Sequence, residues 1–410
     1  EIPLRLVGSE MCIRDSPYHC TNTPMLANTL KGATAAVGYS DDYDKYTICQ
    51  SMGACFKVMG VAPVILINVL DPNKHKKNMA ETTVQVNSGV ATVEQKDILL
   101  DKLVVKSAST TLTAGTDYTA AFDDDGYVTI AIIPGGKAAS ATSLTVSGVQ
   151  IDPDAVTAAD IVGGVNAKGV ETGMEVIRQI YPALNMTPGI LLAPGWSENA
   201  TVAAGLQAKT GNINGVFRAV CIVDIDSSAT GATTYTEVKQ QKEKQAVTSP
   251  NCYPVWLYAK VGDVVYAGSA MAAALTVATD AANGDIPYVS PSNKTLAISA
   301  ACLKDGTEVL LDQEQANVVN SFGVATWLNM GGFRLWGNNT ACYPGNTDPK
   351  DRWFSVRRFM NWDDNTFIQT YFQKVDDPLN KRLIEALVDS ENVRGNSFVS
   401  RGICARHEIQ

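Results

Sequence analysis

Histidine is the residue that most often serves as a base at neutral pH. The 410-residue sequence contains three: His19, His75 and His407. A nucleophilic serine or cysteine needs such a base within hydrogen-bond reach, and a carboxylate usually orients the base. None of these histidines neighbours a promising serine, cysteine or carboxylate cluster in the sequence. A triad could still assemble in space, but the sequence itself predicts no catalytic residues.

One segment superficially resembles a protease active site. The letters GSAMA at residues 268–272 are similar to the Gly-Thr-Ser-Met-Ala segment around a subtilisin nucleophile. Here Ala270, which has no side-chain oxygen, stands where the nucleophile would be. Ser269 is one position away, and on a helix that shift turns a side chain by about 100°. We therefore predict an inert small-residue helix packed against a sheet.

Glycine-rich and acidic segments are the next candidates, for phosphate and cation binding. GGK at residues 135–137 lacks the earlier glycine and the following serine or threonine of a P-loop, so we interpret it as a turn. DDD at residues 123–125 lacks the spaced ligands and late glutamate of a calcium loop. We expect a hairpin turn there, with Gly126 supplying a positive φ. The sequence predicts no cofactor and no bound metal.

The cysteines are scattered and odd in number, without a C-x-x-C pair. Several lie in apolar runs, which is typical of buried free thiols in a protein from a reducing cytoplasm rather than of disulfides or a zinc site. The nine positions are Cys12, Cys20, Cys49, Cys55, Cys221, Cys252, Cys302, Cys342 and Cys404.

Composition limits the classes of partner. Hydrophobic residues make up 45% and charged residues 18%, which is enough apolar content for a buried core in two or three domains. The net charge of -9 argues against nucleic acid as a partner, because phosphate binding needs clustered lysine and arginine. No run of eighteen apolar residues is present, so we predict no membrane insertion.

The two ends look unnatural. The sequence does not begin with methionine, and residues 1–16 show no clean period. We interpret them as a non-native segment, such as a translated adapter or vector scar. The far end stops soon after a helical pattern, so we expect a fragment clipped at both ends.

The patterning predicts a mixed α/β protein with an inserted all-β domain. Residues 17–80 carry a helix over 41–60, ended by Gly60, and a buried strand over 64–70. Residues 81–160 are rich in threonine, valine and glycine. They contain short strands over 103–105, 127–133 and 143–146, as in a β-sandwich.

Strands and helices alternate in the next block, residues 161–320, which predicts a parallel sheet with right-handed crossovers. We expect a helix over 171–181 stopped by Pro182, and another that begins at Glu198 and is capped by Ser197. Strands are expected over 189–193, 218–226 and 252–261, with a charged helix over 236–247. The β-rich block thus interrupts two α/β pieces, as an inserted domain would.

The last block, residues 321–410, is predicted to contain strands over 324–328 and 333–337. Residues 353–360 fit either a strand or the start of a helix. A helix is expected over 380–392, with its apolar positions buried: Leu383, Ile384, Leu387 and Val388.

Several segments together resemble the contractile tail sheath family, over about residues 25–404. These segments are GYSDDY at 38–43, GVAPV at 60–64, LTAGTDYT at 112–119 with GYV at 126–128, LLAPG at 191–195, SPSN at 290–293, and GGFRLWGNNT at 331–340 followed by the Arg357-Arg358 pair. The 331–340 segment is the most specific. The family's N- and C-terminal arms, each of which lends a strand to a neighbouring subunit, are largely missing here.

The resemblance implies a Rossmann- or subtilisin-like parallel-sheet core, an inserted β-sandwich and a C-terminal α/β sheath domain. It also implies a structural role and no enzymatic activity. The subunit would polymerise helically with its own kind around a tail tube, with baseplate and tail terminator as further partners. It would be made in the bacterial cytoplasm and end in the virion tail. Two other classes stay open: a serine-hydrolase-like enzyme on the α/β domain and a surface adhesin using the β-sandwich.

Charged residues in the C-terminal block are candidates for contacts between subunits. We expect this block to face the tube and neighbouring subunits, although a solvated surface with local ion pairs is an equal alternative. The candidate interface residues are Arg334, Arg352, Arg357, Arg358, Asp363, Asp364, Lys381 and Arg382.

Overall fold

The computed structural model describes residues 20–123, 126–378 and 380–409. The expected non-native segment 1–16, His19 and two of the three aspartates in the 123–125 turn lie outside the described residues. In the described part, no helix combines the length and apolar character needed to cross a bilayer. Five cysteines are buried free thiols, as predicted: Cys49, Cys55, Cys221, Cys252 and Cys302.

The N-terminal piece forms a small antiparallel sheet beside two helices. Its elements are β1 (Pro24–Ala27), α1 (Leu30–Val37), α2 (Ile48–Met52) with a π-helical continuation over Gly53–Met59, and β2 (Val64–Ile67). The helix predicted from residue 41 begins only at Ile48. Residues 41–47 form turns, one of them closed by the Asp42 carboxylate, which accepts from the Lys45 backbone N–H at 3.3 Å. Gly60, at a φ of 63°, ends the helix as predicted.

The threonine- and valine-rich part folds into two antiparallel sheets. It contains β3 (Lys76–Gln85), β4 (Val90–Val93), β5 (Val104–Ser107), β6 (Thr110–Thr111), β7 (Tyr118–Phe122), β8 (Val128–Ile132) and β9 (Ser143–Ile151). The strand orders are β3-β9-β5-β6 and β4-β8-β7. Val105 and Leu144 of one sheet and Val93 and Ile130 of the other share one hydrophobic cluster.

This two-sheet part leaves and rejoins the rest of the chain at adjacent points. Lys76 at the start of β3 is the cross-strand partner of Ile151 at the end of β9. The change in composition at residue 81 falls inside strand β3. The two-sheet part therefore begins at Lys76, before the boundary that the composition suggests. The strands predicted over 103–105, 127–133 and 143–146 are confirmed.

The next part contains a parallel sheet with helices on both faces. Its helices are α3 (Ala158–Val162), α4 (Ile180–Leu184), α5 (Ala200–Lys209), α6 (Val238–Lys244) and α7 (Gly268–Ala281). Its strands are β10 (Gly164–Val165), β11 (Glu171–Thr172), β12 (Ile190–Leu191), β13 (Val220–Ile225), β14 (Cys252–Trp256), β15 (Tyr258–Val261), β16 (Val264–Tyr266) and β17 (Ala300–Cys302).

Strand β13 is the centre of the parallel sheet, between β12 and β14. All six of its residues are buried, so both faces are covered, as in sheets of α/β proteins. Ile222 packs on the side of α7, whereas Val223 packs on the side of α5. The molecule is therefore a mixed α/β protein, as the patterning predicts.

Two helix predictions in this part were wrong. Ser197 does not cap a helix: α5 begins at Ala200 and is capped by Asn199, whose side chain accepts from the Thr201 N–H. The helix expected over 171–181 is a 3₁₀ segment over Gly173–Gln179 followed by α4. Pro182 lies in the first turn of α4, where a missing N–H leaves no intrahelical hydrogen bond unmade.

The strand predicted over 252–261 is two strands in two different sheets. Leu257, at a φ of 83°, separates β14 of the parallel sheet from β15. The second strand belongs to an antiparallel sheet of order β16-β15-β17. An apolar run does not distinguish one long strand from two, because both halves are buried.

The C-terminal part is a hairpin followed by two long helices. It contains α8 (Gln313–Ser321), β18 (Thr326–Asn329), β19 (Phe333–Trp336), α9 (Pro349–Arg352), α10 (Phe354–Tyr371) and α11 (Lys381–Ser400). The hairpin confirms both predicted strands, and residues 353–360 begin a helix. The burial predicted for α11 was wrong: Ile384 is 47% exposed. The helix packs through Glu391, Gly395 and Phe398 in its second half instead.

Candidate functional site

The protease-like segment forms the buried start of α7, with Gly268 as its first residue. A β-carbon at Gly268 would come within 2.4 Å of the Leu257 carbonyl oxygen, so only glycine allows this close approach. Ser269 and Ala270 are both fully buried. The prediction of a small-residue helix packed against a sheet is confirmed.

The Ser269 hydroxyl takes part in a buried hydrogen-bond network around Asp224 of β13. Its Oγ donates to Asp224 Oδ2 at 2.5 Å, and its backbone N–H donates to Asp224 Oδ1 at 2.7 Å. From the opposite side, Ser197 Oγ donates to Asp224 Oδ2 at 3.0 Å and accepts from the Asp224 N–H at 2.9 Å. Gln245 closes the network by donating to the Asp224 carbonyl oxygen at 3.0 Å.

Burial controls the electrostatics of this network. It raises the pKa of the Asp224 carboxyl above its ordinary value, and the hydrogen bonds from Ser269 and Ser197 oppose that rise. Burial also raises the pKa of Glu198, against the opposing effects of Lys304 and of the Tyr258 hydroxyl. The Asp224 carboxyl thus serves as a hydrogen-bond acceptor for two serine hydroxyls and one backbone N–H.

Neither described histidine joins this network. His75 is buried at the start of the two-sheet part, where its Nδ1 accepts from the Asp71 N–H at 3.0 Å. His407 lies after α11, with its Nε2 at 2.8 Å from Asp363 Oδ2. Within the described residues, therefore, Ser269 has a carboxyl partner but no imidazole base, and the arrangement gives it no route to a nucleophilic alkoxide.

The arginine pair at 357–358 is engaged inside the molecule. Arg358, on α10, is buried and makes a two-pronged ion pair with Asp280 of α7, one arm of which measures 3.0 Å. Arg357 donates to Asn251 Oδ1 at 2.7 Å and to Asp351 Oδ1 at 3.1 Å. The contacts with Asp280 and Asn251 attach α10 to the parallel-sheet part.

Arg334 and Arg352 also have partners within the chain. Arg334 Nη1 donates to the Asn293 carbonyl oxygen at 3.1 Å, which joins β19 to the loop before β17. The Arg352 guanidinium lies 4.2 Å from the ring centroids of both Tyr343 and Trp353. Arg334 thus connects the C-terminal hairpin to the preceding part of the chain, whereas Arg352 packs within the C-terminal part.

The remaining four candidates differ in exposure. Asp363 is half-buried beside His407, and Asp364 pairs with Arg218 at the surface. Lys381 is 89% exposed and faces Glu385 one turn along α11, and Arg382 is also exposed. The structure thus does not bring the eight candidates into one site. Their role between subunits stays a prediction.

Sequence reasoning missed three residues that organise this part of the molecule. Asp224 places an ionisable carboxyl inside the apolar run Val220–Ile225, and that anomaly is a signal that the sequence contains. Ser197 gave no signal, because its partner is distant in sequence. Lys242 donates to three carbonyl oxygens, those of Phe322, Ala341 and Tyr343, at 2.6, 2.7 and 3.0 Å. Burial lowers the pKa of Lys242 to about 8.

Comparison with known proteins decides the family. No protein-family model matches the chain. The chain is 30% identical over 421 aligned residues to the tail sheath protein of Burkholderia phage BcepMu, a match that covers 98% of this chain and 84% of that protein. The chain belongs to the tail sheath protein family. It is a structural subunit of a contractile tail.

Two further comparisons agree with this assignment. The sheath protein is 28% identical over 234 residues to a prophage major tail sheath protein of Pseudomonas aeruginosa, and the match spans 58% of that relative. The crystal structure of a sheath tail protein from Desulfitobacterium hafniense matches 95% of this chain and 84% of its own, with a TM-score of 0.53 at 10% identity. That likeness establishes the shared fold.

Proposed function

We propose that this sheath protein polymerises with copies of itself into a helix around a tail tube, and that shortening of the helix drives the tube through the host envelope. Head-to-tail contacts that do not close into a ring generate such helices. The baseplate and tail terminator are the further partners, and strands lent between neighbouring subunits reinforce the lattice. Assembly takes place in the bacterial cytoplasm.

The closed network around Asp224 is the observation that carries a mechanical rather than an enzymatic role. We infer that the parallel-sheet part is a subtilisin-like core in which the position of the nucleophile has become a packing position. The hydroxyl and the backbone N–H of Ser269 both join α7 to β13. A core joined in this way moves as a rigid body, so the energy for contraction is stored in contacts between subunits.

The two-sheet part fits a β-sandwich insert that points away from the tube. Among the described residues, its hydrophobic cluster is separate from those of the parallel-sheet part, and Leu70, Leu99 and Ile151 form a small cluster at its base. The composition-based boundaries of 17–80, 81–160, 161–320 and 321–410 stay a proposal, and within it we place the limits of the insert at the paired ends of β3 and β9, Lys76 and Ile151. An outward position tolerates variation in the loops at the far end of the sandwich.

The exposed charges of α11 are the best candidates for contacts between subunits. Reversing the charge at Arg357 or Arg358 would break internal pairs, so a loss of assembly would not distinguish misfolding from a lost interface. Lys381 and Arg382 project from the exposed start of α11, and their replacement leaves the core contacts of that helix intact. They therefore allow a clean test.

The experiment compares a Lys381→Glu/Arg382→Glu variant with wild type, both made as the full-length gene product that includes the arms. Each is coexpressed with the cognate tube protein and viewed by electron microscopy. A matched control reverses Lys168 and Lys239, two exposed lysines of the parallel-sheet part. We expect long sheaths from wild type and control, and short or absent sheaths from the α11 variant. Normal sheaths from that variant would defeat the interface role. A wild-type protein that never forms helical sheaths would defeat polymerisation itself.

A hydrolase remains the second candidate, and the geometry gives it a direct test. A covalent serine-hydrolase probe labels a serine only when its hydroxyl is exposed and activated. We expect no labelling at Ser269, which is fully buried. Stoichiometric labelling that disappears in Ser269→Ala would restore the enzymatic alternative. The adhesin alternative predicts a secretion signal on the intact gene product.

A further inference from the structure

Three chain segments meet at a cluster that combines two carboxylates with an imidazole. Asp363 projects from α10, Glu391 from α11, and His407 from the segment that follows α11. One ligand atom from each of the three lies within 4.8 Å of the others. The ligand set of one nitrogen and two oxygens is one that divalent transition metals, zinc above all, accept.

The spacing of the ligand atoms is close to that around a bound ion. His407 Nε2 is 2.8 Å from Asp363 Oδ2 and 4.0 Å from Glu391 Oε1. Ligands at about 2.1 Å from a tetrahedral zinc ion stand roughly 3.4 Å apart, between these two values. An ion between Asp363 Oδ2 and His407 Nε2 is therefore within reach of the Glu391 carboxyl. That carboxyl has to turn so that Oε2, the oxygen that Arg394 leaves open, faces the ion.

Burial supplies the independent reason to expect a cation. Glu391 is 1% exposed, and its Oε2 is buried without a hydrogen-bond partner. An ionised carboxylate oxygen in that position loses its hydration without compensation, unless a cation or donor contacts it. The imidazole of His407 is held beside it by close packing, since a β-carbon at Gly395 would lie 2.3 Å from His407 Nδ1.

Arg394 contacts this cluster but does not complete it. Its guanidinium contacts Glu391 Oε1 and lies 2.7 Å from Asp363 Oδ1. One oxygen of each carboxylate is thereby held in place, and Asp363 Oδ2 and Glu391 Oε2 remain. Arg394 therefore has the position of an outer-shell partner that orients the ligands.

We propose that Asp363, Glu391 and His407 form a binding site for a divalent transition-metal ion of the zinc class, with water as the remaining ligand. The ion joins α10, α11 and the segment after α11 at one point. Its effect is to fix the C-terminal segment on the helix pair, in the part of the molecule where the sequence predicted contacts between subunits.

The test uses the full chain and zinc ions alone. The metal-free protein is titrated with Zn²⁺ by calorimetry, and with Co²⁺ by its visible absorption, which reports tetrahedral coordination. The variants are Glu391→Gln and His407→Gln. The matched control is Asp364→Asn, which removes the neighbouring carboxylate on α10. Circular dichroism checks that each variant is folded.

We expect one zinc ion per chain in wild type and control, with a rise in melting temperature on zinc addition. Each ligand variant should lose more than the ~10–100-fold in affinity that outer-shell changes cost. Wild-type protein without stoichiometric zinc or a tetrahedral cobalt spectrum would overturn the proposal and leave an ion-pair network around Arg394. Unchanged affinity in a folded His407→Gln variant would overturn it equally.

Discussion

Asp224 is the centre of the buried hydrogen-bond network in the parallel-sheet part. It carries a carboxyl group into the middle of a fully buried strand, where an uncompensated polar group is costly. The hydroxyls of Ser269 and Ser197 and the Ser269 N–H supply the compensation. Three elements are thereby joined at one point: β13, α7 and the turn before α5. The network next to the protease-like segment thus holds these three elements together.

The raised pKa of Asp224 makes the folding stability of the protein depend on pH. In the unfolded chain the carboxyl ionises near its ordinary value of 3.8, whereas in the folded chain it keeps its proton to higher pH. Between the pKa of the unfolded chain and the higher pKa of the folded chain, the folded state binds more protons than the unfolded state. The free energy of unfolding therefore falls as pH rises through this interval, by up to about 1.4 kcal/mol per pH unit. Asp224→Asn has no ionisable group at this position, so its stability should not show this decline. We expect the stability of the variant relative to wild type to increase as the pH rises from 4 to 8.

The measurement is the urea midpoint of both proteins across that pH range. Asp224→Ala is the contrasting variant, because it leaves Ser269 and Ser197 without an acceptor. Neither variant has an ionisable group at this position, so we expect Asp224→Ala to be less stable than Asp224→Asn by about 1–3 kcal/mol at every pH. Parallel midpoint curves for wild type and Asp224→Asn would show that burial does not hold the proton on Asp224.

At the scale of elements, sequence patterns succeeded where the pattern is local. The strand over 64–70, the hairpin strands near Trp327 and Leu335, and the strands of the two-sheet part follow from apolar runs and turn residues. The sequence patterns failed where a partner distant in the sequence decides the role of a residue. Ser197 has the type and place of a helix cap, but Asp224 takes its hydroxyl, and Asn199 caps α5 instead. The buried half of α11 is likewise set by contacts with α10.

The candidate charges show the same limit. Sequence position alone placed Arg357 and Arg358 beside several aspartates in the C-terminal block. The partner of Arg358 is Asp280, on α7, 78 residues earlier in the chain. Composition can predict that a block is charged, but only the fold decides whether an arginine faces a neighbour in the same chain or a different molecule.

The two-sheet part offers a prediction at the level of elements. Lys76 and Ile151 are cross-strand partners, and the Asp152 N–H donates to the His75 carbonyl oxygen at 2.9 Å below them. An Asn-Gly turn in place of residues 77–150 should therefore close the gap as a tight hairpin. We expect the shortened protein to fold, with the parallel-sheet part intact, as judged by a cooperative thermal transition and resistance to proteolysis.

The comparison is a deletion at the compositional boundaries, residues 81–160. That deletion cuts through β3 and removes both Asp160, which lies 3.5 Å from His75, and most of α3. We expect it to aggregate or to be cleaved rapidly. If both deletions fold equally well, the pairing of β3 with β9 does not define the limits of the insert. If neither folds, the insert is not independent.

At the scale of the whole molecule, the contacts between parts are numerous enough to make one mechanical unit. Arg358 and Asp280 join α10 to α7, Lys242 joins α6 to two C-terminal loops, and the Tyr253 ring stacks on Phe354 at 4.0 Å between centroids. A machine that changes shape without nucleotide hydrolysis needs such subunits, because a soft subunit would dissipate the energy stored in the lattice.

This rigidity leads to a prediction about the two states of the proposed sheath. We expect amide hydrogen exchange in β13, β14 and α7 to be the same in extended and contracted sheaths, since their hydrogen bonds lie inside one subunit. Changes should concentrate at exposed surfaces, above all at the start of α11. Strand β8 of the insert is an internal control, because it belongs to the β4-β8-β7 sheet, outside the cluster at the base, and we place the insert away from the tube. Faster exchange in β13 on contraction would mean that the core itself is remodelled, and that part of the energy is stored within the subunit.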